Sequence, residues 1–95
     1  MPQRTVTVAS SHGLHARPAA LFVKAAAAQA VPVRIGVPGG KAVDARSILA
    51  VLSLGVGSGA EVVLEAEGDR ADEALDALTR LLEQDADEEQ EHSGV

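Results

Sequence analysis

Segments whose apolar residues alternate every second position are interleaved, along a chain of 95 residues, with segments whose apolar residues recur every three to four. This switching constrains the fold more than any other feature of the chain. A period-2 segment shows a single apolar face only as a strand, and a period-3.6 segment only as a helix. Thr5-Val6-Thr7-Val8 alternates and sets Val6 and Val8 on one face. Residues 31–37 alternate again, with Val31, Val33, Ile35 and Val37 on one side and Pro32 turned away at the strand start. Pro38-Gly39-Gly40 marks a turn and Lys41-Ala42-Val43 a short returning strand, so the pair reads as a hairpin. The last alternating segment, residues 61–67, points Val62, Leu64 and Ala66 inward and its glutamates outward.

The intervening segments are helical. From Ala16 to Ala30 the chain is Ala-rich, with Pro18 in the first turn, where its missing N–H costs nothing. Ala19, Val23, Ala26 and Ala30 recur at helical spacing as the packed stripe. Ser47 as N-cap and Gly55 as terminator bracket a short apolar helix of about two turns, built on Ile48, Leu49, Val51, Leu52 and Leu54. Asp69 caps a final amphipathic helix carrying Ala71, Ala74, Leu75, Leu78, Leu81 and Leu82. The order β-α-β-β-α-β-α, with one apolar face on each strand, predicts a two-layer α+β sandwich. Gly55-Val56-Gly57-Ser58-Gly59 lacks Lys-Ser/Thr and follows a helix, which makes it a turn and not a phosphate loop.

Composition narrows the function. Without cysteine and with three histidines, the chain offers no disulfide, no thiolate nucleophile and no structural zinc site. Phe22 is the single aromatic, so stacking platforms for single-stranded nucleic acid are missing, and a net charge of −6 disfavours a phosphate backbone as partner. No run approaches ~18 apolar residues, and the first residues lack the apolar stretch of a signal peptide. A metal-free, cofactor-free, cytoplasmic monomer is expected, with neither nucleic-acid binding nor membrane insertion. Five acids and no base fall in residues 85–95, leaving nine acids against eight bases elsewhere. Residues 1–84 therefore read as the folded domain and 85–95 as an acidic, disordered, solvating tail.

The chemistry concentrates in Gly13-Leu14-His15-Ala16-Arg17-Pro18. The unpaired N–H groups of a helix's first turn form an anion site, and the amides of Ala16 and Arg17 supply them. Arg17 adds a guanidinium that grips phosphate oxygens bidentately. Gly13 lets the backbone bend and a partner approach. The positive helix end biases His15 toward its neutral, nucleophilic form, then stabilises the negative charge of an acquired phosphoryl group. These pieces suit reversible phosphoryl transfer. A lone histidine at a helix start is also commonly just a cap or a solvated side chain.

Gly13-Leu14-His15-Ala16-Arg17-Pro18-Ala19 resembles the active-site signature of HPr, the histidine phosphocarrier family of the bacterial sugar phosphotransferase system. Residues 40–55, from Gly40-Lys41-Ala42-Val43-Asp44-Ala45-Arg46 through Ser47 to Gly55, resemble the same family's central Ser-helix motif. The resemblance covers roughly residues 3–84. It implies an open-faced β-sandwich, a four-stranded antiparallel sheet covered on one face by three helices. It implies that enzyme I, charged by phosphoenolpyruvate, phosphorylates His15 on Nδ1 and that the group passes to enzyme IIA domains of sugar transporters. Arg17 would stabilise the phosphate. Ala20 and Lys24 on the first helix, with Leu49 and Leu52 on the short one, would form the docking surface. A two-turn helix that is apolar nearly all round must expose some of these residues in any case, and an exposed apolar patch marks a partner site.

Ser47 reads locally as an N-cap; by resemblance it is also a site for regulatory phosphorylation by a serine kinase. His12 sits where family members often carry a small polar residue. It is either a solvated loop side chain or a contact to phosphorylated His15. The expectation is a stoichiometric carrier and not an enzyme. The alternatives are a carrier in a regulatory branch, with a controller or transcriptional regulator as partner, and a binding module governed by Ser47. A hydrolase is disfavoured, because no Ser-His-acid arrangement is visible.

Overall fold

The computed structural model describes residues 2–9, 13, 14 and 16–84. Ser10, Ser11, His12, His15 and the acidic residues 85–95 lie outside the described residues, and with them the expectations placed on His12, His15 and the tail. The elements run β1 (Gln3–Thr7), α1 (Ala16–Ala27), β2 (Val33–Gly36), β3 (Val43–Asp44), α2 (Ile48–Ser53), β4 (Glu61–Ala66) and α3 (Ala71–Glu83). The strands form one antiparallel sheet in the order β1-β4-β2-β3. The α+β sandwich expected from the periodicity is thus present, with its element order intact.

Register fixes which side chains meet. Val6 pairs with Val62, and Ile35 with Leu64, so period-2 alternation puts all four on the helix-covered face. There they join Phe22, Ala19 and Ala26 of α1, Val51 of α2, and Ala74, Leu75 and Leu78 of α3 in a single buried core. Phe22 is fully buried at its centre. Arg4 shares this sheet face at the edge strand and reaches over it to α3, bonding Asp72 at 3.4 Å and Asp76 at 3.3 Å. The opposite face carries the row Gln3, Glu65, Arg34 and Asp44, with Gln3 Nε2 donating to Glu65 Oε2 at 3.1 Å.

Several boundaries differ from the sequence reading. α1 stops at Ala27, not Ala30, and its buried stripe is Ala19, Phe22 and Ala26; Val23 is half-buried and Ala30 exposed. The helix tightens as it ends. The Ala28 N–H is shared between the carbonyls of Lys24 and Ala25, and the Gln29 side chain donates to the Ala25 carbonyl. Pro32 just beyond disfavours helical backbone before it. α3 is preceded by Arg70 at its N-cap position, not Asp69, and no side chain caps it. Its start is held instead by the Ala71 N–H donating to the Gly68 carbonyl and by Arg70 clasping Glu73 at 2.8 Å. β1 begins at Gln3 and ends before Val8, and the hairpin return starts at Val43, so residues 37–42 form the connection, turned by the Gly40 N–H donating to the Val37 carbonyl.

Candidate functional site

α1 begins at Ala16, so Ala16 and Arg17 are its first two residues, and their amides belong to the turn that has no carbonyl partner within the helix. Arg17 is exposed, Pro18 half-buried. The approach to this helix start is pinned from both sides. Leu14 is buried in the core, and its N–H donates to the Val56 carbonyl at 3.0 Å. Upstream, the Val8 N–H donates to the Ala60 carbonyl at 2.9 Å, the Gly59 N–H to the Val8 carbonyl at 2.9 Å, and the Ala9 N–H to the Leu82 carbonyl at 2.9 Å. Residues 10–12 are therefore bracketed by anchors on the Gly-rich connection after α2 and on the end of α3.

Gly13 has a role different from the one its sequence context suggested. It does bend the chain, with φ at +70°. It does not leave room for a partner. A Cβ on residue 13 would meet the Val56 carbonyl oxygen, and the Gly57 backbone lies just beyond. The close approach that glycine permits is to the chain's own residues 56 and 57. The connection identified above as a turn is thus the seat on which the Gly13–Leu14 segment rests, a long-range contact that no local pattern announces.

On the next helix, Ser47 is the N-cap in extended backbone, its Oγ accepting the Ala50 N–H at 3.2 Å. Gly55, with φ at +64°, follows the last residue of the helix end, as expected of a terminator. Val51 is fully buried. Leu49 is 77% exposed, and Ile48 and Leu52 are 37% exposed each. α1 packs against both α2 and α3. Its outward face carries Ala20 and Lys24 as well as Arg17, all exposed. The structure thus presents Ala20, Lys24, Leu49 and Leu52 on the outer surfaces of two neighbouring helices.

Leu21 is a surface apolar residue that the sequence reading did not single out; it is 42% exposed. Once Phe22 is fixed inward, the helical angle of about 100° per residue carries Leu21 to one flank of α1 and Ala20 to the outside. Leu21 lines a shallow groove between α1 and the end of α3, together with Leu14, Pro18, Leu81 and Gln84. Among the described residues, no helix is long and apolar enough to cross a membrane, and no three His, Cys, Asp or Glu side chains are grouped to hold a metal ion.

Comparison with known proteins agrees with this geometry. Residues 2–84 match the PTS-HPr family model, described as "PTS HPr component phosphorylation site". The phosphocarrier protein HPr of Streptomyces coelicolor is 46% identical over 88 residues, which cover 93% of this chain and 95% of that protein. The crystal structure of HPr from Bacillus anthracis superposes with a TM-score of 0.80 at 41% identity, covering 85% of this chain and 95% of that one. Bacillus subtilis Crh, described as a catabolite repression protein and a swapped dimer, superposes with a TM-score of 0.69 at 41% identity, covering 90% and 98%. A monomer is therefore not dictated by the shared fold. With its two motifs, its β-α-β-β-α-β-α order and a match across residues 2–84, the chain belongs to the HPr family of phosphocarrier proteins of the phosphotransferase system.

Proposed function

We propose that His15 accepts a phosphoryl group from phosphorylated enzyme I and passes it to enzyme IIA domains of sugar transporters. The observation that carries this reading is the start of α1, with an exposed Arg17 and two first-turn amides, on a helix packed against α2, whose Leu49 and Leu52 present exposed apolar surface. An imidazole nitrogen, Nδ1 by the family resemblance, attacks phosphorus while the bond to the donor's leaving group breaks. Arg17 and the amides of Ala16 and Arg17 hold the phosphoryl oxygens. The second transfer runs the same chemistry outward, with His15 as leaving group. Because the group arrives and departs once per cycle, the chain acts as a carrier in the cytoplasm, needs no cofactor and turns over no substrate of its own.

Docking uses Ala20, Lys24, Leu49 and Leu52. The patch is small, as suits a partner that must be released. After incubation with enzyme I and phosphoenolpyruvate, intact-protein mass spectrometry should show one added acid-labile phosphoryl group. His15→Ala should show none, and a label that persists in this variant overturns the assignment. Arg17→Ala should slow transfer and leave the fold intact. His12→Ala should shorten the lifetime of the phosphohistidine if that imidazole touches it; an unchanged lifetime removes the contact.

A second reading is a regulatory branch, favoured by the position of Ser47. Its Oγ caps α2 directly beside the exposed Ile48 and Leu49. A phosphate placed there by a serine kinase sets two negative charges at the edge of the docking surface and repels acidic partners. Phosphotransfer measured side by side to sugar-specific and regulatory IIA domains separates the two branches.

A further inference from the structure

We infer that the acidic segment 85–95 docks on the outer face of α1, over Arg17 and Lys24, and competes there with the phosphoryl donor. Three observations converge. The described chain ends at Gln84, which lines the groove whose opposite wall is Leu14, Pro18 and Leu21. Pro18 directly follows Arg17, so the segment sets out from a groove that ends at the first turn of α1. The end of α3 is also tied to the neighbouring loop, through the Ala9 N–H on the Leu82 carbonyl.

Charge supplies the second observation. α1 contains Arg17 and Lys24 and no acid over its whole length, and both side chains are exposed. The segment contains Asp85, Asp87, Glu88, Glu89 and Glu91 and no Lys or Arg. At its root it leaves the C-terminus of α3, where the exposed Arg80 of the last turn is the nearest base and is opposed by Glu83 and by the partial negative charge of the helix end.

Reach is the third. Asp85 and Asp87 lie within three residues of Gln84, at most about 10 Å of extended chain. Lys24 lies seven residues beyond Arg17, about 10 Å along the helix, so the later acids span the distance. Tethering holds the segment at an effective concentration in the millimolar range, which makes individually weak, exposed ion pairs sufficient for partial occupancy.

The docking is tested on the unphosphorylated full-length chain, independently of what His15 does. The chain has no cysteine, so Gln90→Cys takes a single nitroxide label. Relaxation enhancement is then read at the amides of Arg17, Leu21 and Lys24. A matched chain carries Asn or Gln at the five acidic positions. Stronger broadening in the acidic chain is expected at about 0.01 M salt, where charges act over about 30 Å, and equal broadening at about 1 M, where they act over about 3 Å. Equal broadening of the two chains at both salts overturns the docking. So does broadening that appears only between copies, in a mixture of labelled and isotope-enriched chains.

The competition rests on the phosphocarrier reading and has its own readout. The neutralised segment should lower the KM for phosphorylated enzyme I two- to fivefold at low salt and leave kcat unchanged; an unchanged KM overturns the competition. If His15 takes no phosphoryl group while the α1 amides still broaden, the phosphocarrier reading fails and the docking stands.

Discussion

α3 and α2 are both rich in aliphatic side chains, and they use them in opposite ways. In α3, Ala71, Ala74, Leu75, Leu78 and Leu82 are buried on one stripe, while Asp72 and Asp76 on the other side bind Arg4 of the edge strand. In α2 only Val51 is buried, and Ile48, Leu49 and Leu52 face outward. Thirteen residues at helical period suffice to hide one stripe completely; six residues that are apolar nearly all round cannot. Apolar surface is buried for stability on the α3 side and left exposed on the α2 side.

The contrast breaks most readily at Leu78. Leu78→Ala empties a fully buried site and should cost about 2–5 kcal/mol, read as a lowered urea midpoint with unchanged slope. Leu49→Ala should change stability by no more than about 0.5 kcal/mol. It should instead weaken binding to enzyme I by about tenfold, the loss of an interface anchor of more than about 1 kcal/mol. If Leu49→Ala destabilises the fold as much as Leu78→Ala, the division between the helices is wrong.

Gly13 lies between the two regimes. Gly13→Ala forces a side chain into φ at +70° and against the Val56 carbonyl, and should cost about 1–3 kcal/mol in the urea midpoint. It should also slow phosphoryl acceptance, because the segment displaced is the one leading into His15. Normal transfer in a destabilised Gly13→Ala protein would show that the seat on residues 56 and 57 serves folding alone. Ser47→Ala should cost about 0.5–2 kcal/mol through loss of the cap on Ala50, with Ser47→Asp recovering most of it.

What the sequence revealed follows the range over which each feature is determined. Period-2 and period-3.6 patterns are local, and Val62, Leu64, Leu75 and Leu78 fell on the buried faces that their periodicity assigned. The Ser47 cap and the Gly55 terminator are local too. The end of α1 was misplaced because Ala28, Gln29 and Ala30 all tolerate a helix, and the stop is set by Pro32 and by the Gln29 side chain folding onto the Ala25 carbonyl. The cap of α3 was misplaced by one residue because Asp69 satisfies the composition rule, whereas the Gly68 turn sets where the helix starts. The contact of Gly13 with residues 56 and 57 joins segments more than forty positions apart, and a local pattern could not show it. Leu21 was hidden for a related reason: its exposure depends on Phe22, and not Val23, being the residue that α1 turns inward.

The smallest expected effect tests how α2 is entered. The Asp44 carboxylate accepts the Arg46 Nε at 3.1 Å and Nη2 at 3.3 Å, and the Arg46 backbone N–H at 2.9 Å. The Arg46 side-chain bond, then the backbone bond, holds the Asp44 carboxyl below its ordinary value of 3.8, and Asp44 in turn raises Arg46. The unfolded chain therefore takes up a proton here at higher pH than the folded one. The stabilisation is complete above about 3.8 and disappears as pH falls through the lowered folded value. Both side chains are half exposed, which keeps the contribution small and sensitive to salt. Asp44→Asn should accordingly lower Tm slightly at neutral pH, and the gap to the native chain should close at the most acidic end of the titration. Because the Arg46 amide bond tightens the turn into Ser47, the variant should also reduce amide-exchange protection in α2 and leave α3 untouched. A gap that persists at acid pH, or protection lost equally from both helices, would mean that Asp44 acts through general charge and not through this turn.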